Sequence, residues 1–82
     1  PVNYGYIPNT LSEDGEEIDA YILGIFYPID EFQGICKAVI CRYDNNENKL
    51  IVVPKDKNYS IEQIEALLEF QERFFKHKII IE

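Results

Sequence analysis

Between Gln33 and Pro54 the chain carries two β-prone runs around a short polar turn, and after Ser60 the apolar spacing changes to that of a helix. A switch from period two to period 3.6 within one short chain restricts the fold to strands packed with a helix. The run Gln33–Tyr43 is apolar on both alternations, Ile35, Val39 and Cys41 against Cys36, Ala38 and Ile40. That pattern predicts a strand covered on both sides. Asp44–Asn48 is a polar turn and Lys49–Pro54 a further strand, so the two strands form a predicted hairpin. Ser60 is a candidate N-cap, and Gln63 three residues on completes a capping box. From Ile61 to about Lys76, the side chains of Ile64, Leu67, Leu68, Phe74 and Phe75 share one face. Lys76, His77 and Lys78 lie near the expected helix end, where cations oppose the helix dipole favourably. His77 is thereby given a surface role, and the charged residues of the helix read as its solvated face.

Ile79–Ile81 reads as a short last strand, and Ala20–Tyr27 as an earlier one that Pro28 ends. Residues 1–19 are rich in Gly, Pro, Asn and acids, and read as loop and turn. The expected class is α+β, an antiparallel sheet with one long C-terminal helix, in one domain spanning residues 1–82. The net charge of −7 argues against nucleic acid or an anionic membrane as partner. No apolar run approaches the ~18 residues of a membrane span. Cys36 and Cys41 are five apart, on opposite faces of a regular strand, and are expected to be reduced core residues of a cytoplasmic protein.

The densest chemistry lies near the start. Asp14, Glu16, Glu17 and Asp19 crowd around Gly15, behind Tyr4 and Tyr6. Hard divalent cations such as Mg²⁺ take carboxylate and water oxygens, so this turn is a candidate metal site. Asp44, Glu47 and Lys49 form a second constellation. The stretch Asp44–Asn48 alternates Asp and Asn as an EF-hand loop begins, but Lys49 stands where that loop needs glycine and the flanks are strands.

Two blocks carry a family resemblance. Asn3-Tyr4-Gly5-Tyr6-Ile7, then Thr10-Leu11, then Asp14-Gly15-Glu16-Glu17-Ile18-Asp19 resembles the signature of the soluble, family I inorganic pyrophosphatases. Asp44, Glu47 and Lys49, followed by Leu50-Ile51-Val52-Val53-Pro54, resemble a second block of that family. The resemblance implies a partial OB-like β-barrel and Mg²⁺-dependent hydrolysis of pyrophosphate to two phosphates, with Mn²⁺ as a possible substitute. It implies that Asp14, Asp19, Asp44 and Glu47 bind metal. In the same terms Glu16 is the base that contacts the attacking water, while Tyr4 and Lys49 touch phosphate.

The chain also departs from the pattern. Glu16 stands for an aspartate and Glu17 for a proline, the Asp44–Lys49 loop is shorter, and no Tyr-Lys pair follows Phe75. The chain starts at Pro1 where the family has several strands before the signature, so it reads as a fragment or as a protein whose N-terminal part was removed, and the lysine, arginine and glutamate that those strands supply have no counterpart here. A catalytically inactive relative, acting as a metal- or phosphate-binding or oligomerising module, is the alternative. Self-association is expected either way, because a partial barrel leaves open sheet edges.

Overall fold

Strand β1 (Asn3–Ile7) pairs antiparallel with β2 (Ile18–Ile22), and β3 (Ile35–Arg42) pairs antiparallel with β4 (Asn48–Val53). Helix α1 (Ile61–Glu72) follows, and β5 (His77–Ile81) returns to pair antiparallel with β3. The structure is a computed structural model that describes residues 2–12, 14–43, 47–73 and 75–81. The two hairpins join through a parallel pairing of β2 with β4, giving one five-stranded sheet of order β1-β2-β4-β3-β5.

The expected antiparallel sheet is therefore mixed, and among the described residues it stays open rather than closing into a barrel, with β1 and β5 at its edges. The strand β1 was expected to be loop. Its tyrosines are good β-formers whose partner lies in β2, where Tyr4 faces Tyr21 and Tyr6 faces Asp19. The predicted β3–β4 hairpin forms, with its turn at residues 44–46 outside the described residues. A bulge between Cys36 and Ala38 bends β3.

One face of the sheet carries the core. Tyr21, Leu23, Ala38, Ile40, Ile51 and Val53 pack against Ile64 and Leu68 of α1. The predicted cover on both faces of β3 is uneven: Ala38 and Ile40 are buried, whereas on the other alternation Val39 and Cys41 are half-buried and Ile35 is exposed. Both cysteines are free, as expected, but neither is a core residue.

The capping box is present. Ser60 Oγ accepts from Gln63 N at 3.1 Å, and Gln63 Oε1 accepts from Ser60 N at 2.8 Å. The helix stops at Glu72, short of the expected Lys76, because the chain must turn back to pair with β3. Arg73 N still donates to Glu69 O, and by Lys76 the backbone serves Tyr43 N. His77 opens β5 rather than ending the helix, and Lys76 and Lys78 are not helix-end cations. The His77 Nε2 faces Glu65 Oε1 at 2.6 Å and its Nδ1 faces the Phe75 carbonyl at 3.0 Å. Two acceptors satisfy both nitrogens only in the imidazolium form. Burial alone would lower the His77 pKa, but Glu65 and the Phe75 carbonyl outweigh burial and raise it.

Truncating Leu68 to Ala should cost about 2–5 kcal/mol in urea unfolding, and Ser60→Ala about 1 kcal/mol. A group with a raised folded-state pKa stabilises below its unfolded value, and loses that contribution as pH rises through the folded value. Thermal unfolding should thus show stability falling as pH rises above 6.5, the ordinary value for this imidazole. His77→Gln should remove that slope; an unchanged slope would show the clasp to Glu65 is idle.

Candidate functional site

The sheet register sets which side chains can meet. Cross-strand partners share a face and alternate residues repeat it. Tyr4 opposite Tyr21, Tyr6 opposite Asp19, and Tyr21 beside Ile51 therefore put Tyr4, Asp19, Tyr21 and Lys49 on the helix-covered face. The pairs Ile40–Lys49 and Arg42–His77 place Arg42 on that face too. Where this end of the sheet meets the last turn of α1, Tyr4, Tyr21, Arg42, Glu47, Lys49 and Gln71 line a cleft of ≈ 400 Å³.

A buried carboxylate organises the cleft. Glu72 is fully buried. Its Oε1 accepts from Arg42 Nε at 2.9 Å, and its Oε2 accepts from Arg42 Nη2 at 2.7 Å and from the Tyr21 hydroxyl at 2.6 Å. Burial pushes the Glu72 carboxyl up, but Arg42 and Tyr21 together outweigh burial and hold it below the ordinary value. Arg42 lies over the Phe75 ring at 3.9 Å, a cation–π contact that fixes its plane. Glu47 then bridges forward, with Oε2 3.0 Å from Arg42 Nη1 and Oε1 3.3 Å from Lys49 Nζ.

The phenols are donors. Burial, then the neighbouring Asp19 carboxylate, raise the Tyr4 pKa; burial and Glu72 raise that of Tyr21. Both hydroxyls stay protonated across the physiological range. The Tyr4 and Tyr21 rings sit 5.2 Å apart at 59°, a tilted aromatic pair.

The acidic turn is close by but built differently. Asp14 closes its own turn: Oδ1 accepts from Ser12 Oγ and from Glu16 N. Ser12 N donates to the Glu16 carbonyl, whose oxygen also lies 2.9 Å from Ser12 Oγ, and Gly15 supplies the positive φ of 84°. The Ser12 and Glu16 donors lower the Asp14 pKa. Asp14, Glu16, Glu17, Asp19 and Glu47 line a second cleft of ≈ 780 Å³. The expected residues thus fall into two adjoining groups, with Glu47 in both walls, and Asp44 lies outside the described residues.

Among the described residues, no three His, Cys, Asp or Glu side chains come close enough together to enclose a metal ion. Beside Ser12 and Asn48, the charged side chains in the acidic cleft are nonetheless all carboxylates. Mg²⁺ binds through only one or two of these, with waters and phosphate oxygens completing its shell. That donor set fits a metal shared with a phosphate ligand.

Tyr21, Arg42 and Glu72 were not among the expected site residues. Glu72 had a signal: Ile64, Leu68 and Glu72 are four apart, so the acid continues the buried stripe.

A protein-family profile for inorganic pyrophosphatase matches residues 1–82. An inorganic pyrophosphatase of Pseudomonas aeruginosa is 30% identical over 93 residues, covering 94% of this chain and 51% of the relative. That of Xylella fastidiosa is 34% identical over 94 residues, covering 94% of this chain and 50% of the relative. That of Sulfolobus acidocaldarius is 36% identical over 61 residues, covering 70% of this chain and 35% of the relative. The chain spans about half the length of the Pseudomonas aeruginosa and Xylella fastidiosa relatives. No solved structure matches it significantly.

Replacing Glu72 by Gln leaves Arg42 without its buried counter-charge and should cost about 3 kcal/mol at neutral pH. A carboxylate with a lowered folded-state pKa stabilises above its unfolded value and loses that contribution as pH falls through the folded one. Acid unfolding of the wild type should steepen below pH 4.5, the ordinary value for this carboxyl. The same curve for Glu72→Gln should be shallower; parallel curves would remove Glu72 from the acid transition.

Proposed function

The chain belongs to the inorganic pyrophosphatase family, and from that premise we propose that it hydrolyses pyrophosphate to two phosphates with Mg²⁺, for which Mn²⁺ can substitute. One observation carries the reading beyond family membership. A carboxylate-lined cleft adjoins a cleft that holds Arg42, Lys49 and two protonated phenols. A pyrophosphate–metal complex has both faces, cationic metal and anionic oxygens, and needs such neighbours.

Asp14, Asp19 and Glu47 are the described carboxylates assigned to the metal. Asp44 is assigned with them from its place in the sequence alone. When bound, the metal supplies positive charge against the substrate's own and lowers the pKa of the attacking water. Glu16, exposed in the same turn, is assigned to orient that water and accept its proton. Tyr4 donates to a phosphate oxygen while its ring leans on Tyr21. Lys49, buried with its Nζ toward Glu47, supplies a fixed positive charge for the substrate. The bulk charge of −7 opposes a polyanion, so these local charges must reverse the sign where it binds. Among the described residues no helix is long and apolar enough to cross a membrane. Self-association through a sheet edge and a cytoplasmic location complete the proposal.

Phosphate release from pyrophosphate should require Mg²⁺ or Mn²⁺, and either ion should raise the melting temperature of the protein. Asp19→Asn should lose at least ~10²-fold in kcat/KM, about 2.7 kcal/mol of transition-state stabilisation, and most of the thermal shift. Turnover without added metal, or an Asp19→Asn variant as active as the wild type, would defeat the proposal.

A further inference from the structure

Glu47 stands between two cations that cannot follow it if it moves. Its side chain is 40% exposed, whereas Arg42 and Lys49 are 11% and 4% exposed. Arg42 is held from behind, with Nε and Nη2 committed to Glu72 and its plane laid on Phe75. Its Nη1 is the nitrogen that meets Glu47. The cations are thus fixed and the carboxylate is the movable partner.

The charges close on the same conclusion. Arg42 and Lys49 balance Glu72 and Glu47, so these four side chains are neutral as they stand and carry one positive charge once Glu47 leaves, with the Asp19 carboxylate further along beside Tyr4. An anion entering with Glu47 in place would meet a like charge at contact distance. Glu47 also lines the acidic cleft, so a second environment is within its reach. The wall offers one more polar group. Gln71 Oε1 is buried with no hydrogen-bond partner among the described residues, and turning that amide over presents its NH₂ to the cleft.

We propose that Glu47 is a built-in occupant of an anion site, that a phosphate group displaces it, and that Arg42 joins Lys49 in holding that group. The proposal rests on the phosphate-handling function given above and adds Arg42, Gln71 and a competing carboxylate to it. Displacement favours phosphate over smaller anions. A phosphate dianion brings more charge and more acceptor oxygens than a carboxylate, and Arg42 can bind it with directed hydrogen bonds. A monoanion such as acetate offers nothing that tethered Glu47 does not already offer at high effective concentration.

The test titrates inorganic phosphate into the full chain in EDTA, read by calorimetry and by the ³¹P line. Glu47→Gln should bind phosphate about tenfold more tightly than wild type, because one tethered competitor is gone, and should now also bind acetate. Adding Arg42→Gln together with Glu72→Gln removes the cation without stranding its buried partner, and should abolish the gain. If that triple variant does not fold by circular dichroism, Arg42→Lys in the Glu47→Gln background serves instead and should cut the gain at least threefold, since an ammonium cannot keep the same forked bonds. Unchanged or weaker phosphate binding by Glu47→Gln overturns the proposal, as does a gain that survives loss of Arg42. The readout uses product and no metal, so it stands even if pyrophosphate turnover is absent.

Discussion

A carboxylate with no contact with water sits where α1 ends against the sheet, and the arrangement of this molecule depends on keeping it ionised. Moving such a charge out of water costs several kcal/mol unless donors replace the lost hydration. Glu72 receives three, two from Arg42 and one from Tyr21. Those partners come from β3 and β2, so one ion ties the helix terminus to two strands of the sheet. It also commits Arg42 partly to structure, through two bonds to Glu72 and its seat on the Phe75 ring.

The same arrangement reconciles an acidic protein with an anionic substrate. The acids divide by what holds them. Asp14 is tied into its own turn by Ser12 and Glu16, Glu72 is locked to Arg42, and Glu47 is bound to cations across a partly wet cleft. Only the last is poised to exchange partners, because ion pairs open to solvent bind weakly and buried ones do not let go cheaply.

The parts legible in the sequence were those decided by neighbours in the chain. The β3–β4 hairpin follows from two apolar runs around a polar turn, and the start of α1 from Ser60 and Gln63. The acidic turn could be read for the same reason, since Ser12, Asp14, Gly15 and Glu16 bond one another. The parts that stayed hidden depend on distant partners. Strand β1 is short and polar until Tyr4 finds Tyr21, and the parallel pairing of β2 with β4 has no local signature. The spacing of Ile64, Leu68 and Glu72 places Glu72 on the buried stripe, but its partners Arg42 and Tyr21, 30 and 51 residues away, have no local signature. The helix end was misplaced because Ile79–Ile81 draws the chain into β3 before Lys76 can extend the helix.

The parallel β2–β4 pairing has a kinetic meaning. Each hairpin closes over a short loop, whereas Ala20 meets Leu50 only after the chain between them has been gathered in. Asp19 and Tyr4 belong to one hairpin, and Lys49 and Arg42 to the other. The two halves of the site therefore come together at the seam between the two hairpins, in a register that spans more chain than either hairpin does. Competence of the site thus depends on that pairing as well as on each hairpin, since the acidic turn belongs to one hairpin and Lys49 and Arg42 to the other.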